Sequence, residues 1–256
     1  MTQMTGQAGR LRRFNEKFLV EERVVPASAK RTLVVVAIAL MAVGLAAFVT
    51  VLDSVVDRDG LSAIDAPVEQ WLETGRTEWL TIVMIVIAIA FGPIVMPIII
   101  VITTITWGVT AKHAWRPLLL AGGMLLGVVI VQALAPVIAR ERPPISDMLF
   151  GVDHTSSFPS GHVMGVADFL LITTYLVFSR HRRPVIMVLA FVAASGIVLL
   201  TAACRIYLGY HWATDALGSL SLSLVVLGIV IAVDTWRTVR VGSPAEVAAS
   251  DARREE

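Results

Sequence analysis

Six long apolar runs, almost free of charged residues, divide this chain of 256 residues. Each run is near or above the ~20 residues that a helix needs to cross a bilayer. Charged residues make up only 16% of the chain, whereas a soluble domain of this size carries about 25%. We therefore predict an all-α membrane protein, a bundle of six transmembrane helices. The predicted spans are residues 33–52, 79–107, 118–139, 161–179, 185–204 and 212–233.

The acidic segment between the first two spans carries a helical pattern of apolar residues. They recur at i, i+4, i+7 and i+8, which predicts a short amphipathic helix. Because Trp71 belongs to this set, we expect the helix to lie in the membrane interface, where Trp side chains are enriched. Pro93 and Pro97 predict a kink in the second span. The apolar set consists of Ile64, Val68, Trp71 and Leu72.

Lys and Arg residues are concentrated in four of the polar segments. The N-terminal segment, the turns at 108–117 and 180–183 and the C-terminal tail hold 16 of them, and the other connections hold 5. Short loops rich in Lys and Arg favour the cytoplasmic side of a membrane. We therefore expect a multi-pass protein of the inner (plasma) membrane with both termini in the cytoplasm. The polar segments 140–162 and 205–215 then lie at the extracytoplasmic face.

Polar composition divides the chain into three parts. Residues 1–32 are expected to form a basic cytoplasmic segment, residues 33–235 the six-span domain and residues 236–256 a polar cytoplasmic tail. Residues 11–25 fit a short helix on the membrane surface, and they fit a solvated tail equally well.

The stretch from Phe158 to His162, which reads FPSGH, stands between a polar loop and the fourth span. Pro159 can open a helix because its missing N–H would have no partner there. Ser160 and Gly161 then leave backbone N–H groups free at the positive end of the helix dipole, which favours a phosphate. His162 adds a group that exchanges protons near neutral pH. Alone, this short stretch is a weak signal, and an ordinary loop-to-helix junction would explain it.

The segment from 205 to 215 adds a second histidine with a carboxylate at helical spacing. His211 and Asp215 are four residues apart at the start of the sixth span, so they share one helix face. Asp215 can accept a hydrogen bond from one ring nitrogen of His211, which leaves the other nitrogen free to attack an electrophile. Arg205 and Arg142 offer planar guanidinium groups that match phosphate oxygens. These residues predict phosphoryl transfer at the extracytoplasmic face.

The sequence indicates no metal or cofactor for this chemistry. It contains no cluster of carboxylates that would predict a magnesium site and no Cys and His cluster typical of zinc. We therefore expect positioning and charge stabilisation by the protein alone.

These segments resemble the signature of the type 2 phosphatidic acid phosphatase superfamily of membrane lipid phosphatases, K-x6-R-P, P-S-G-H and S-R-x5-H-x3-D. The resemblance covers roughly residues 60–235 and departs from the signature at two positions. Cys204 stands where the family has Ser, and Ala135 stands where it has Lys. The matching residues are Arg142, Pro143, Pro159, Ser160, Gly161, His162, Arg205, His211 and Asp215.

The resemblance implies a role for each matching residue. His211 would attack phosphorus and form a phosphohistidine, and Asp215 would orient it. His162 would protonate the leaving oxygen and then activate water. The residues implied in phosphate binding are Arg142, Ser160, Gly161 and Arg205.

Two further residues are possible accessories to the site. Arg140 could supply the charge that the family Lys supplies, since Ala135 cannot. Asp168 lies inside the fourth span, where an ionisable group is a functional hypothesis by default. A buried carboxylate bonded to a Thr or Ser of a neighbouring helix explains Asp168 equally well.

The sequence thus favours a lipid phosphatase that acts on a membrane lipid phosphate or pyrophosphate. Polyprenyl pyrophosphate, phosphatidylglycerophosphate or a similar lipid would fit, and no nucleic acid partner is expected. An alternative is a catalytically impaired lipid-binding or lipid-translocating protein on the same fold, which Ala135 favours. A haloperoxidase with a related oxyanion pocket is a third candidate, but such enzymes are mostly soluble.

Overall fold

The structure is a computed structural model that describes residues 23–111, 113–180 and 184–255. Within these residues almost all regular structure is helical, as the apolar runs predict. One two-stranded parallel sheet joins the two ends of the described chain. The elements are β1 (Arg23–Val25), α1 (Ala27–Asp57), α2 (Asp65–Thr74), α3 (Glu78–Ala90), α4 (Val95–Thr110), α5 (Trp115–Ile138), α6 (Gly161–Phe178), α7 (Pro184–Tyr207), α8 (Ala213–Thr238), β2 (Val239–Val241) and α9 (Pro244–Glu255).

Five helices of the described chain, α1, α5, α6, α7 and α8, are long and apolar enough to cross a membrane. The second predicted span is broken: α3 and α4 meet at an angle of 48°. Pro93 lies in the break, so the predicted kink is confirmed. The predicted all-α membrane architecture is confirmed as well.

Two contacts show which ends of the bundle the bent pair joins. The Thr77 N–H, just before α3, donates to the Tyr207 hydroxyl at the end of α7 (3.1 Å). Trp115, five residues after α4, donates from Nε1 to Asp234 near the end of α8 (3.0 Å). Since α7 ends where α8 begins, these contacts lie at opposite ends of the bundle. The pair α3 and α4 therefore runs from one end of the bundle to the other, which favours one bent span. Six spans remain the expected number.

Helix α8 is the centre of the bundle. It is buried along most of its length, with α1 packed along it and α5, α6 and α7 around it. Phe48 of α1 and Val226 and Val230 of α8 belong to the main apolar cluster. Because α8 begins two residues after His211, the best-packed helix of the fold also positions the site.

Helix α2 occupies the segment in which a short amphipathic helix is predicted. The Trp71 side chain is 72% exposed, as an interfacial anchor requires. The placement of α2 in the membrane interface stays a prediction. Its first residue, Asp65, is buried, and so is Glu69, which the apolar pattern alone did not indicate.

The polar ends of the described chain pack together instead of forming separate tails. Val24 pairs with Arg240 in the β1–β2 sheet, and α1 begins at Ala27, inside the segment expected to be polar and cytoplasmic. Residues 1–22 lie outside the described residues, so the surface helix considered for 11–25 is tested only at Arg23–Val25, which form β1.

A buried carboxylate, Asp234, joins several elements at the end of the bundle that contains the β1–β2 sheet. Asp234 accepts hydrogen bonds from Arg23 Nη2 (3.1 Å), Arg180 Nη2 (2.9 Å) and the Tyr175 hydroxyl (2.8 Å). All four side chains are at most 5% exposed. The cluster ties β1, the end of α6 and the end of α8 together.

We expect Asp234→Asn to destabilise the protein, because two buried guanidinium groups lose their counter-charge. Breaking a buried pair by removing one partner costs about 3–5 kcal/mol. The check is the melting temperature of the detergent-purified chain, which should fall well below that of wild type. Asp57→Asn, a matched change at an exposed position, should leave it unchanged, and an equally small effect of both changes would contradict the assignment.

Candidate active site

The FPSGH stretch is anchored by its phenylalanine. Phe158 is fully buried and packs on Gly218 of α8, where an added Cβ would lie 2.5 Å from the ring. The Ser219 hydroxyl donates to the Ser160 carbonyl (3.0 Å). Helix α6 then begins at Gly161 with Ser160 as its N-cap. The predicted helix N-terminus is therefore present, and α8 fixes its position.

The histidine and carboxylate predicted to share a helix face are in contact. His211 Nδ1 lies 2.8 Å from the Ser157 carbonyl and 3.3 Å from Asp215 Oδ2. A carbonyl and a carboxylate only accept hydrogen bonds, so Nδ1 must carry the proton. Nε2 of His211 is then the free nitrogen, with a lone pair available for an electrophile.

Arg142 reaches the free nitrogen of His211. Its Nη1 lies 3.4 Å from His211 Nε2 and donates to the Tyr210 carbonyl (2.6 Å). Its Nε and Nη2 donate to the carbonyl and the hydroxyl of Thr155 (2.9 and 2.8 Å). Burial lowers the pKa of Arg142 below its ordinary value. Neutral acceptors thus bind Nε, Nη1 and Nη2 and fix the position of the guanidinium.

Asp153 is the one described carboxylate that pairs with Arg142, at 2.9 Å from Nη2. Burial would raise its pKa, but hydrogen bonds from the N–H and hydroxyl of Thr155 and the charge of Arg142 lower the pKa below its ordinary value. The carboxylate is therefore ionised at neutral pH. It pairs with Nη2, whereas Nη1 is the guanidinium nitrogen next to His211 Nε2.

Two buried donors of the site have no acceptor among the described residues. Nε of Arg205 and the hydroxyl of Ser160 are both buried without a hydrogen-bond partner. The Arg205 guanidinium stacks on the Tyr210 ring, 4.3 Å from its centroid. Leaving a buried polar group unpaired costs about 1–3 kcal/mol. Both donors belong to the predicted phosphate-binding set, and an anion would satisfy them.

His162 faces the same space from the start of α6. One of its ring nitrogens bonds to the backbone of Ala88, and Nε2 would lie 3.6 Å from a Cβ added at Gly92. The broken span therefore positions this ring. His162 interacts electrostatically with Arg142, Arg205 and His211. The structure thus brings the two histidines and two arginines together at one end of the bundle.

The turn between Arg205 and His211 depends on a glycine. Gly209 has φ +77°, and an added Cβ would collide with the Asp147 carbonyl. Just before it, Arg76 donates to the Tyr207 carbonyl from Nε (3.0 Å) and to the Asp147 carbonyl from Nη2 (3.1 Å). The connection between the fifth and sixth spans is shorter than predicted, since α7 continues through Arg205 to Tyr207.

Arg140 lies behind Asp215 instead of facing the anion. Its Nη1 forms a short ion pair with Asp215 Oδ1, and its Nη2 lies 2.6 Å from Asp65 Oδ2. This geometry does not support the expectation that Arg140 supplies the charge missing at Ala135. Ala135 lines an open groove of about 430 Å³ with Arg142 and other residues of the polar loop.

Asp65 is a site residue that the sequence did not indicate. It accepts from Arg140 and from both the N–H (2.9 Å) and the hydroxyl (2.7 Å) of Thr214, next to Asp215. The chain of contacts from Asp65 through Arg140 and Asp215 ends on His211. Asp65 is therefore a positioning residue for the histidine, supplied by α2.

Asp168 lies away from this cluster, deeper in the bundle. Six residues after His162, it is about 9 Å further along the helix axis at 1.5 Å per residue. It is 1% exposed, and an added Cβ at Gly127 of α5 would collide with its carboxylate. Neither of its oxygens has a close hydrogen-bond partner among the described residues, although Ser223 is adjacent. Its position favours a buried structural group over a direct role at the phosphate.

We expect His211 to be neutral and to carry its proton on Nδ1 at pH 7. Burial lowers its pKa to about 4, and hydrogen bonding to Asp215 only partly opposes that shift. A lowered pKa means that the ring stays uncharged at neutral pH and protonates only as the pH falls toward 4. Nitrogen NMR of histidine-labelled protein, assigned by loss of the signal in His211→Ala, measures both properties. Titration near 6.5 or a proton on Nε2 would contradict the geometry.

We expect Asp65→Asn to lower kcat with little change in KM, because Asp65 acts on the histidine only through Arg140 and Asp215. We expect a loss of about 10–100-fold in kcat, the range found for the hydrogen-bond partners that orient metal-binding side chains. The matched control is Asp59→Asn, an exposed change in the same connection. Melting temperatures show whether the loss of kcat comes from unfolding. If kcat and the amount of folded protein fell equally, Asp65 would not be a positioning residue.

Three comparisons show which known proteins this chain resembles. A sequence model of the PAP2 superfamily matches residues 116–238. Phosphatidylglycerophosphatase B of Bacillus subtilis is 26% identical over 195 residues, which cover 73% of this chain and 92% of that protein. Phosphatidylglycerophosphatase B of Escherichia coli K12 is 33% identical over 88 residues, which cover 34% of this chain and 31% of that protein.

A solved structure resembles the whole bundle. It is the crystal structure of a transmembrane PAP2 type phosphatidylglycerolphosphate phosphatase from Bacillus subtilis, with a TM-score of 0.66 and 25% identity. The match covers 76% of this chain and 96% of that chain. The family match, the structural match and the membrane-spanning helices lead to one conclusion: this chain is a membrane phosphatase whose residues 116–238 form a PAP2 superfamily region.

Proposed function

We propose that this phosphatase removes phosphate from a lipid phosphate or lipid pyrophosphate through a phosphohistidine intermediate. One observation carries the proposal: two imidazoles, two guanidinium groups and a helix N-terminus converge, with buried donors on Arg205 and Ser160 that lack an acceptor. Phosphoryl transfer needs positioning and charge stabilisation around the equatorial oxygens, and such donors provide both.

In the first step, Nε2 of His211 attacks phosphorus and a P–N bond forms as the P–O bond to the lipid breaks. His162 gives its proton to the leaving oxygen, so the lipid departs as an alcohol or, from a pyrophosphate, as a monophosphate. The Nδ1 proton stays between His211 and Asp215, which balances the positive charge on the ring. Arg142, Arg205 and the N–H groups at the start of α6 hold the phosphoryl oxygens.

In the second step, His162 takes a proton from water as the water oxygen attacks phosphorus. The P–N bond breaks, inorganic phosphate leaves, and His211 returns to its neutral form. His162 ends protonated, ready for the next leaving group. The net reaction consumes one water for each phosphate released.

Phosphatidylglycerophosphate is the first substrate to test, because the Bacillus subtilis and Escherichia coli relatives are named phosphatidylglycerophosphatase B. Polyprenyl pyrophosphate stays a second candidate. Apolar helix faces can accept an acyl or a prenyl tail, so the tails do not separate the two.

We place the site at the extracytoplasmic face of the inner (plasma) membrane and both termini in the cytoplasm. The support is the excess of Lys and Arg in the segments opposite the site. Among the described residues, Arg23 and Arg180 cluster at that opposite end. A lipid headgroup exposed to the outer aqueous phase would then be the substrate.

The rival proposal is a catalytically impaired lipid-binding or lipid-translocating protein, which Ala135 in place of the family Lys favours. Phosphate release from a panel of lipid phosphates in detergent distinguishes the two. We expect release from at least one lipid, and a loss of at least about 10³-fold in His211→Ala, the range expected when a nucleophile is removed. No release from any lipid would favour the rival.

A phosphate ester with a good leaving group, such as p-nitrophenyl phosphate, can distinguish the roles of the two histidines. His162→Ala should then still form the phosphohistidine, because this leaving group needs no proton, but should hydrolyse it slowly. Acid-labile, base-stable labelled phosphate should therefore accumulate on His162→Ala and be absent from His211→Ala. Labelling of His211→Ala would exclude His211 as the nucleophile.

A further inference from the structure

A second polar cluster lies beside the active site, and the phosphatase mechanism does not use it. Glu69 and Glu73 of α2 are four residues apart and share a helix face. Asp147, from a short 3-10 turn at Ile145–Asp147, faces them. One carboxylate oxygen from each of the three lies within 4.8 Å of the others. The sequence showed no such cluster, because Asp147 is more than seventy residues from the two glutamates.

The charges in this cluster do not balance. Among the described residues, Arg76 forms the one ion pair with these carboxylates, from Nη1 to Glu73 Oε1 (2.9 Å). Its other nitrogens donate to the carbonyls of Tyr207 and Asp147. Three carboxylates and one guanidinium leave a deficit of two positive charges. That deficit equals the charge of one divalent cation.

Glu69 provides an independent sign of a missing ligand. Its side chain is buried, with the residue 9% exposed, and Oε1 has no hydrogen-bond partner among the described residues. A buried, unpaired carboxylate beside two others is costly, and a cation among them would remove that cost.

We propose that Glu69, Glu73 and Asp147 bind a hard divalent cation such as Ca²⁺. The ligands are all oxygens, the donor set that Ca²⁺ prefers, and Ca–O distances of about 2.3–2.6 Å allow ligand oxygens up to ~5 Å apart across the ion. Water completes the coordination, since Glu73 and Asp147 are only half-buried. The site is separate from the phosphate cluster and takes no part in proton or phosphoryl transfer.

The position of the proposed site indicates a structural role for the cation. The Asp147 carbonyl packs against Gly209, and the Leu149 N–H donates to the Leu208 carbonyl (3.1 Å). A cation that joins Asp147 to α2 would therefore stabilise the turn between the end of α7, which carries Arg205, and His211. It does so from outside the catalytic cluster.

The test uses the full-length chain in detergent, stripped of metal with EDTA and titrated with Ca²⁺ alone. Equilibrium dialysis with radioactive Ca²⁺ should show one saturable site per chain. Glu69→Gln and Asp147→Asn should each weaken binding by about tenfold or more, because each removes a charged ligand. Glu78→Gln, at an exposed position beside α2, is the control and should bind as wild type does.

Melting temperature gives a second readout that keeps the test valid for a poorly folded variant. In EDTA, Glu69→Gln should melt at or above the wild-type temperature, since it removes a repelling charge. In Ca²⁺ the order should reverse, because only wild type gains from the cation. Absence of saturable binding to wild type, unchanged affinity in both ligand variants, or no reversal of the melting order would each overturn the proposal.

Discussion

The fully buried carboxylate of Asp215 is the interaction on which the site depends. It accepts hydrogen bonds from His211 Nδ1 and from the Trp212 N–H and pairs with Arg140. An ionised carboxylate without such partners would be too costly to bury. Arg140 in turn is held by Asp65. The orientation of the His211 imidazole therefore depends on α2, which lies about 150 residues earlier in the chain.

The side of His211 that faces Arg142 and Arg205 has an excess of positive charge and hydrogen-bond donors without acceptors. Arg142 and Arg205 are close enough to repel each other, and the hydroxyl of Ser160 and Nε of Arg205 have no acceptor among the described residues. These costs disappear when an anion enters. In the proposed mechanism, these donors would be preorganised for the charge that develops on the phosphoryl group in the transition state.

Residues that act through local spacing could be predicted from the sequence. The start of α6 near Gly161 could be predicted, although Pro159 lies one residue before the N-cap and does not open the helix as expected. The contact between His211 and Asp215 follows from their four-residue separation. The predicted kink near Pro93 follows from proline geometry. Each of these depends on a few consecutive residues, whose geometry the backbone dictates.

Contacts between distant segments could not be predicted in this way. The pairs Asp65–Arg140 and Arg23–Asp234 leave no periodic trace in the sequence. Arg140 looked like a phosphate ligand because it stands near Arg142, but Ala139, with φ 49°, ends α5 in the left-handed region. The chain changes direction there, and the two guanidinium groups point to opposite sides of Asp215 and His211. The spacing of two residues does not encode that turn.

The central claim is that His162, His211, Arg142 and Arg205 surround one anion. A crystal structure of the protein with bound orthovanadate, a phosphate-like oxyanion, tests it most directly. We expect vanadium next to Nε2 of His211, with the His162 ring on the opposite side and the oxygens bound to both guanidinium groups and the start of α6. Vanadate bound elsewhere, or bound without both histidines, would exclude a shared anion site.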